Sequence, residues 1–278
     1  MNVKKSKPFN NSSRWRVIVK ENLVDYSVKY KKQLSKYYKR SLSISYGKRV
    51  GRKIGKAQRR YIVIDFKRKK YDIFATVEAF HYDANRSCNI ALLKYDDGTF
   101  KYIIKPSNLN IGDRVISSKN KVENKIGNAC PIFLLPVDCL VHCIEINPGE
   151  GAKMIRSAGS YAKILSKDTK FVVVKLSSGE IKKINALCFA TIGRVGNEFH
   201  NLERLGKAGR KRWKGWKSRV RPIAMGANDH PLGGGEGRSS KGRQPVTKNG
   251  LVKGVKTRKR TKKTNVFILF DRKGVEKK

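Results

Sequence analysis

The stretch Asp229–Arg243, DHPLGGGEGRSSKGR, sets a histidine beside a carboxylate and follows it with three consecutive glycines and a basic run. Two chemistries use such residues. A histidine with an orienting acid can move protons, and glycines that lack Cβ let backbone N–H groups close on phosphate. A nucleotide-hydrolysing loop needs G-x-x-x-x-G-K-[ST], whereas Gly237 to Gln244 reads GRSSKGRQ, with Arg243 at the lysine position and Gln244 at the hydroxyl. The dinucleotide fingerprint G-x-G-x-x-G does not fit either, and no strand is expected before Asp229. Adjacent residues seldom face each other, so Asp229 makes a poor partner for His230. The loop is read as backbone shaped to an anion, with Arg238, Lys241 and Arg243 on its shoulders.

A second cluster, Cys139, His142 and Cys143 in CLVHC, has zinc-ligand residue types. In an extended strand the two cysteines share a face with Val141 while His142 points away, and there is no second C-x-x-C pair. Buried thiols are the expectation, with no metal and no cofactor. Clustered carboxylates are also missing from the basic C-terminal region, where Glu198, Glu203, Asp229 and Glu236 are scattered. That argues against a metal-dependent RNA-processing enzyme.

Charge decides the broad class. The chain of 278 residues carries 64 Lys and Arg against 21 Asp and Glu, a net charge of +43. Self-repulsion on that scale implies a polyanionic partner. Residues 1–60 hold 19 basic and 2 acidic side chains, residues 61–193 hold 20 and 13, and residues 194–263 hold 21 and 4. The flanks are expected to bind and the middle to fold. Trp213 and Trp216, within GRKRWKGWKSR, can stack on unpaired bases while the neighbouring cations take phosphate. A packaging protein would share the charge but would need no folded β middle.

Elements to position these groups are legible in that middle. YIVIDFK, IFATVEAFHY, SCNIALLKY, FKYIIKP and DRVIS are short, β-branched or aromatic, and separated by turns such as Asp96-Asp97-Gly98. Five strands so spaced suit an OB-type barrel over 61–125. VDCLVHCIEI, AKMIRSA, SYAKILSKD, KFVVVKLSSGE, IKKIN and LCFATIG predict a second, SH3-like barrel over 126–195, with turns at Asn147-Pro148-Gly149 and Ser177-Ser178-Gly179. The fold class is therefore mainly β, an OB-fold barrel followed by an SH3-like barrel. Residues 1–60 and 196–278 are long basic extensions, the first expected to order only on its partner, the second Gly-rich and ending in a short apolar strand at VFILF.

Several classes are set aside. No apolar run of about 18 residues is present, which gives no membrane helix. Five cysteines in a chain of this length imply reduced thiols. The opening MNVKKSKPFNNSSRWRVIVK lacks a secretory h-region and is rich in lysine rather than arginine, so neither a secretory signal nor a transit peptide is expected.

The blocks YIVIDFKR (from Tyr61), YDANRSCNIALLKYDDG (from Tyr82), IRSAGSYAKI (from Ile155), LGKAGRKRWKG (from Leu205) and DHPLGGGEGR (from Asp229) resemble successive signatures of the bacterial-type L2 family of large-subunit ribosomal proteins. They stand in the family's order over nearly the whole chain. The resemblance implies an OB-fold and an SH3-like barrel with extensions running into large-subunit rRNA. It also implies contacts with other ribosomal proteins, support of the peptidyl transferase centre region, and a part in joining the small subunit at the intersubunit face. It implies no enzyme and no small-molecule substrate.

By this match Asp83 and Arg86 fill a D-x-N-R pattern and His230 matches the family's histidine discussed for peptidyl transfer, in at most a supporting role. Gly233, Gly234, Gly235, Glu236, Gly237 and Arg238 match its glycine loop. Pro222, Gly226 and Leu232 depart from the family pattern, Leu232 replacing a second histidine, and RKIGKAQRR lacks two further histidines. Expected rRNA contacts are Arg49, Arg52, Lys53, Arg59 and Arg60 before the barrels, then Lys67, Arg68, Arg86 and Arg156 on them. After the barrels they are Arg204, Lys207, Arg210, Lys211, Arg212, Trp213, Trp216, Arg219, Arg221, His230, Gly233, Gly234, Gly235, Arg238, Lys241, Arg243, Arg258 and Arg260. Abundant Lys, Asn, Ile and Tyr point to an AT-rich coding genome and to a mitochondrial matrix ribosome, with plastid and bacterial cytoplasm as the alternatives; a family-like N-terminus leaves no room for a cleaved presequence.

Overall fold

The computed structural model describes residues 2–21, 23–25, 34–37, 44–45, 48–49, 60–214, 216, 218, 220–236, 242–255, 257–259 and 261–276. Contacts divide the chain into two units, residues 1–41, 57–208 and 266–278 in one, and 42–56 with 209–265 in the other.

The N-terminal part has structure of its own. Strands β1 (Asn2–Lys5) and β2 (Val17–Lys20) pair antiparallel around a one-turn helix, α1 (Asn11–Arg14). Asn10 caps that helix through its side chain, and Ser13 returns the bond to the Asn10 backbone, a reciprocal capping box. Strand β3 (Val24–Asp25) then joins the first barrel in parallel. Glu21 reaches the buried Lys105 and accepts a 2.8 Å bond from Asn89. This corrects the expectation that the whole of residues 1–60 orders only on a partner. WRVIVK holds a strand signal that the charge count concealed, and one carboxylate finds a buried cation.

Short strands β4 (Ser35–Tyr37), β5 (Ile44–Ser45), β6 (Lys48–Arg49) and β7 (Arg60–Ile62) follow, β4 pairing β7 and β5 pairing β6. The first barrel is carried by β8 (Ala75–His81), β9 (Ile90–Tyr95), β10 (Phe100–Ile104) and β11 (Arg114–Val115), in the order β10-β9-β8-β11 with β3 alongside β8. Four of the five predicted strands form this sheet, with β3 as its fifth member; YIVIDFK gives β7, which pairs β4 and is followed by an Ile64–Tyr102 bridge to β10, and the Asp97-Gly98 turn closes β9 on β10 with Gly98 at φ +78°.

The second sheet is antiparallel and seven-stranded. Its members are β12 (Ala129–Pro131), β13 (Leu140–His142), β14 (Ala162–Lys167), β15 (Phe171–Leu176), β16 (Ile181–Asn185), β17 (Phe189–Ile192) and β18 (Ile268–Phe270). The order is β12-β17-β13-β14-β15-β16-β18. The apolar strand expected near the C-terminus is thus the edge strand of this sheet. AKMIRSA, expected as a strand, makes only a single bridge from Met154 to Ile144. Ile155 takes a left-handed φ of +54°, which breaks the extension. Strand β12 was hidden by Pro131 and the apolar run after it.

Three hydrophobic clusters explain why the barrels adhere. One lies inside each sheet, and a third, around Ile62, Ile64, Ile90, Leu92, Tyr102 and Val195, draws on both. Strand β9 therefore buries both faces: Ala91 and Leu93 enter the first barrel, Ile90 and Leu92 the shared cluster. Its unalternating IALL sequence is the trace of that double burial. Tyr102, wholly buried, satisfies its hydroxyl at 3.0 Å from His81 Nδ1.

Candidate nucleic-acid interface

The seam between the barrels is built by residues that the charge pattern assigned elsewhere. Arg68, expected to meet rRNA, is 6% exposed and turned inward. Its Nε donates to Ser117 Oγ at 2.8 Å and its Nη2 to the carbonyls of Gly127, at 3.2 Å, and Ile116, at 3.4 Å. With its fork spent on acceptors from the end of one barrel and the start of the next, it has no face for a phosphate. Glu145, which nothing in the sequence singled out, is also buried. It accepts N–H bonds from Gly149 (3.0 Å), Gly151 (2.7 Å) and Phe189 (3.1 Å), folding the Asn147-Pro148-Gly149 turn back onto β17. The turn in turn seats Ala152, whose N–H donates to Phe66 O at 2.8 Å.

His142 lies in this interior and Cys143 packs half-buried against the shared cluster, whereas Cys139, also half-buried, packs on the core of the second sheet, so the expected burial of both thiols is only partial. His142 is buried, donates from Nδ1 to Gly193 O at 3.0 Å, and has its pKa depressed to about 4 by loss of water. Burial likewise pushes the Cys143 thiol up to about 12, and Cys143 leaves the strand at φ +50°, so the alternating faces assumed for CLVHC end at His142.

On the outside, Arg86 and Arg156 converge on Phe66, their guanidinium carbons 5.2 and 4.8 Å from its ring centre. Arg86 is held by the Tyr61 hydroxyl at 3.2 Å and by Asp83, whose Oδ2 stands 3.2 Å from Nε in ion-pair contact without hydrogen-bond alignment. Asp83 itself caps the turn through a 2.8 Å bond from Asn85 N. The D-x-N-R spacing thus aims one arginine at one aromatic ring. Beside Phe66 opens a groove of about 660 Å³, floored by Val63, Phe66 and Phe100 and rimmed by Lys67, Lys69, Lys101, Lys153 and Arg156. Asp65 and Glu150 pair with Lys101 and Lys153 on that rim. Phe66 and Tyr61 were not singled out in the sequence, because only the fold brings them under Arg86. Arg204 is exposed and bridges its backbone to Val17, and Lys207 is exposed after it.

The second unit carries most of the remaining expected residues. Helix α2 (Ala208–Trp213) has no acidic side chain and ends in Arg210, Lys211 and Arg212. Trp213 is 71% and Trp216 40% exposed, large indoles standing in solvent among cations. Arg212 donates to Ser218 Oγ at 3.0 Å, Arg221 and Arg243 are exposed, and Arg258 is tied to Asn265 and Thr264.

The glycine loop is ordered by its own backbone. His230, 5% exposed, accepts the Leu232 N–H on Nδ1 at 3.1 Å, its own N–H reaching Gly226 O at 3.3 Å. Gly233 N–H donates to His230 O and Gly234 N–H to Met225 O. A Cβ at Gly233 would sit 2.3 Å from Gly226 O and 2.5 Å from Met225 O, so only glycine fits. Gly234 and Gly235 take φ of +78° and +92°, the left-handed backbone that glycine adopts without a steric penalty. Arg52, Lys53, Arg59, Arg219, Arg238, Lys241 and Arg260 lie outside the described residues, and Arg49 and Arg60 are described in backbone only.

Residues 38–117 match the family model for the RNA binding N-terminal domain of ribosomal proteins L2, and residues 125–250 match the model for the C-terminal domain of the same proteins. The chain belongs to the ribosomal protein L2 family. The large ribosomal subunit protein uL2 of Christiangramia forsetii is 45% identical over 280 residues, covering 100% of both chains. That of Orientia tsutsugamushi is 51% identical over 210 residues, 75% of this chain and 76% of the relative, and that of Rickettsia typhi 50% over 214 residues, 77% and 78%. The second family match covers β12 to β17 of the seven-stranded sheet together with the glycine loop, so parts of both units of this L2 chain fall within one family pattern.

Proposed function

We infer that this chain is a structural, non-enzymatic constituent of the large ribosomal subunit that binds large-subunit rRNA and neighbouring ribosomal proteins. The observation that carries the RNA reading is Trp213 and Trp216, exposed in a segment whose helix holds cations and no acid. An exposed indole among cations serves base stacking with phosphate neutralisation.

In this reading the barrels, over 61–125 and 126–195, set location while the basic segments supply affinity. The contacts are Lys67, Arg86 and Arg156 beside the aromatic groove, then Arg204, Lys207, Arg210, Lys211, Arg212, Trp213, Trp216 and Arg221. Arg243, Arg258 and the Gly233–Gly235 backbone complete the described set, with Arg49, Arg52, Lys53, Arg59, Arg60, Arg219, Arg238, Lys241 and Arg260 from the remainder. His230 shapes the loop and performs no proton transfer. Support of the peptidyl transferase centre and contact with the small subunit follow from the same family reading. We place the particle in a mitochondrial matrix on composition alone; relatives from bacteria keep the bacterial cytoplasm as the alternative.

The test is binding of the full chain to a defined large-subunit rRNA fragment in excess tRNA at about 0.3 M salt, where the counterion contribution is weakened. Selective retention is expected, and Trp213→Ala should weaken it by about 1–3 kcal/mol without changing the salt slope. Equal binding to tRNA overturns the reading.

A further inference from the structure

On the outer face of the seven-stranded sheet, lysines stand in register. Lys163 of β14 lies directly opposite Lys175 of β15. Lys183 of β16 lies opposite Val173, two residues along from Lys175 and on the same face. The inward neighbours Ala162, Ile164, Val172, Val174 and Ile184 are all buried, which fixes these three side chains outward. Directly opposed side chains in an antiparallel pair have Cβ atoms about 4.5–5.5 Å apart and diagonal ones about 7–8 Å, so the three ammonium groups form one compact row.

Like charges set directly opposite each other weaken a sheet. Only Lys163 has an acidic neighbour among the described residues, Asp138 at 3.0 Å, and that pair is open to water with Asp138 71% exposed. Such a pair holds little. Lys175 and Lys183 make no ion pair among the described residues. Tyr161, two residues before Lys163, already has Arg194 over its ring at 5.3 Å, and unneutralised cations spaced by sheet geometry suit a polyanion gripped by its backbone rather than by its bases.

We propose that Lys163, Lys175 and Lys183 form a further rRNA contact, a cation row that lies along the phosphate backbone of an RNA helix. It rests on the rRNA-binding reading above and adds to it a second footing, on the folded barrel. The occupant is double-helical RNA, read by phosphate spacing and shape.

The experiment is amine acetylation of the full chain, alone and bound to a large-subunit rRNA transcript, read lysine by lysine by mass spectrometry. Lys163, Lys175 and Lys183 should lose reactivity together on binding. In parallel, the triple variant K163Q/K175Q/K183Q should lower the slope of log affinity against log salt by about 2 to 3, since each neutralised phosphate contributes about 0.9. K163R/K175R/K183R keeps the charge and should retain the slope, which separates charge loss from misfolding. If other lysines are protected while these three react as in the unbound chain, the row is no contact and the rRNA reading survives. If no lysine is protected and binding is unselective, both fall.

Discussion

Glu145→Gln is a near-isosteric change whose cost can be worked from three hydrogen bonds. The carboxylate accepts at Oε2 from Gly149 and Phe189 and at Oε1 from Gly151. A carboxamide has one accepting oxygen, and its NH₂ must face at least one of those donors. The better rotamer keeps the bonds of Gly149 and Phe189 and strands the Gly151 N–H, which is buried against Phe66. An unsatisfied buried donor costs about 1–3 kcal/mol, and the two surviving bonds lose their charge assistance, so about 3 kcal/mol in total is expected. For a chain of this size that lowers Tm by about 6–10 °C. Thermal unfolding of the purified full chain at neutral pH, followed by far-ultraviolet circular dichroism, reads the shift. A melt within about 2 °C of wild type corresponds to less than about 1 kcal/mol and would refute the claim that this carboxylate holds the turn to β17.

Three further outcomes concern His142, Arg68 and His230. His142 has a folded pKa of about 4, below its ordinary 6.5, so the unfolded chain binds the extra proton between those values and stability falls as pH drops through that window. The loss amounts to about 3 kcal/mol over the window; urea midpoints taken from pH 6.5 to 5 should decline in wild type and less steeply in His142→Asn, where His81, its pKa also lowered by burial, still contributes, and parallel declines would refute it. Arg68→Lys should cost about 1–3 kcal/mol in urea unfolding because an ammonium cannot reproduce the three-acceptor fork, while Arg68→Gln, which removes the charge, should leave the salt slope of rRNA binding unchanged; a slope lowered by about 1 would return Arg68 to the phosphate contacts. His230→Ala should leave peptide-bond formation in fully assembled particles within about tenfold of wild type, since general acid–base catalysis contributes about 10²–10⁴; a larger loss would restore a chemical role to the imidazole.

What was legible in the sequence was whatever depends on near neighbours along the chain. Alternating Val, Ile and Tyr between Asp-Gly and Ser-Gly turns announced strands, and β8 to β11 and β14 to β17 lie where the pattern put them. The run Gly233–Gly235 announced a backbone that side chains would spoil: a Cβ at Gly233 would meet Gly226 O at 2.3 Å, and Gly234 and Gly235 take positive φ. Contacts between distant segments left no such trace. Arg68 sits in a basic run, RKK, whose composition argues for solvent, yet Ser117 and Gly127, about fifty residues on, supply the acceptors that bury it. Glu145 reads as one acid in a mixed strand until the turn at Gly149–Gly151 wraps it in amides.

The charge pattern marks the basic flanks but does not say which single cations the fold buries, as it does Arg68. Long-range burial converts a cation into a fastener, and sheet register converts scattered lysines into a row. Lys163, Lys175 and Lys183 are 12 and 8 residues apart in sequence and gain meaning only through the pairing of β14, β15 and β16. A polyanion-binding surface in such a protein is set by the residues that the core leaves unpaired, and a basic residue contributes to it only after the fold has declined to use it.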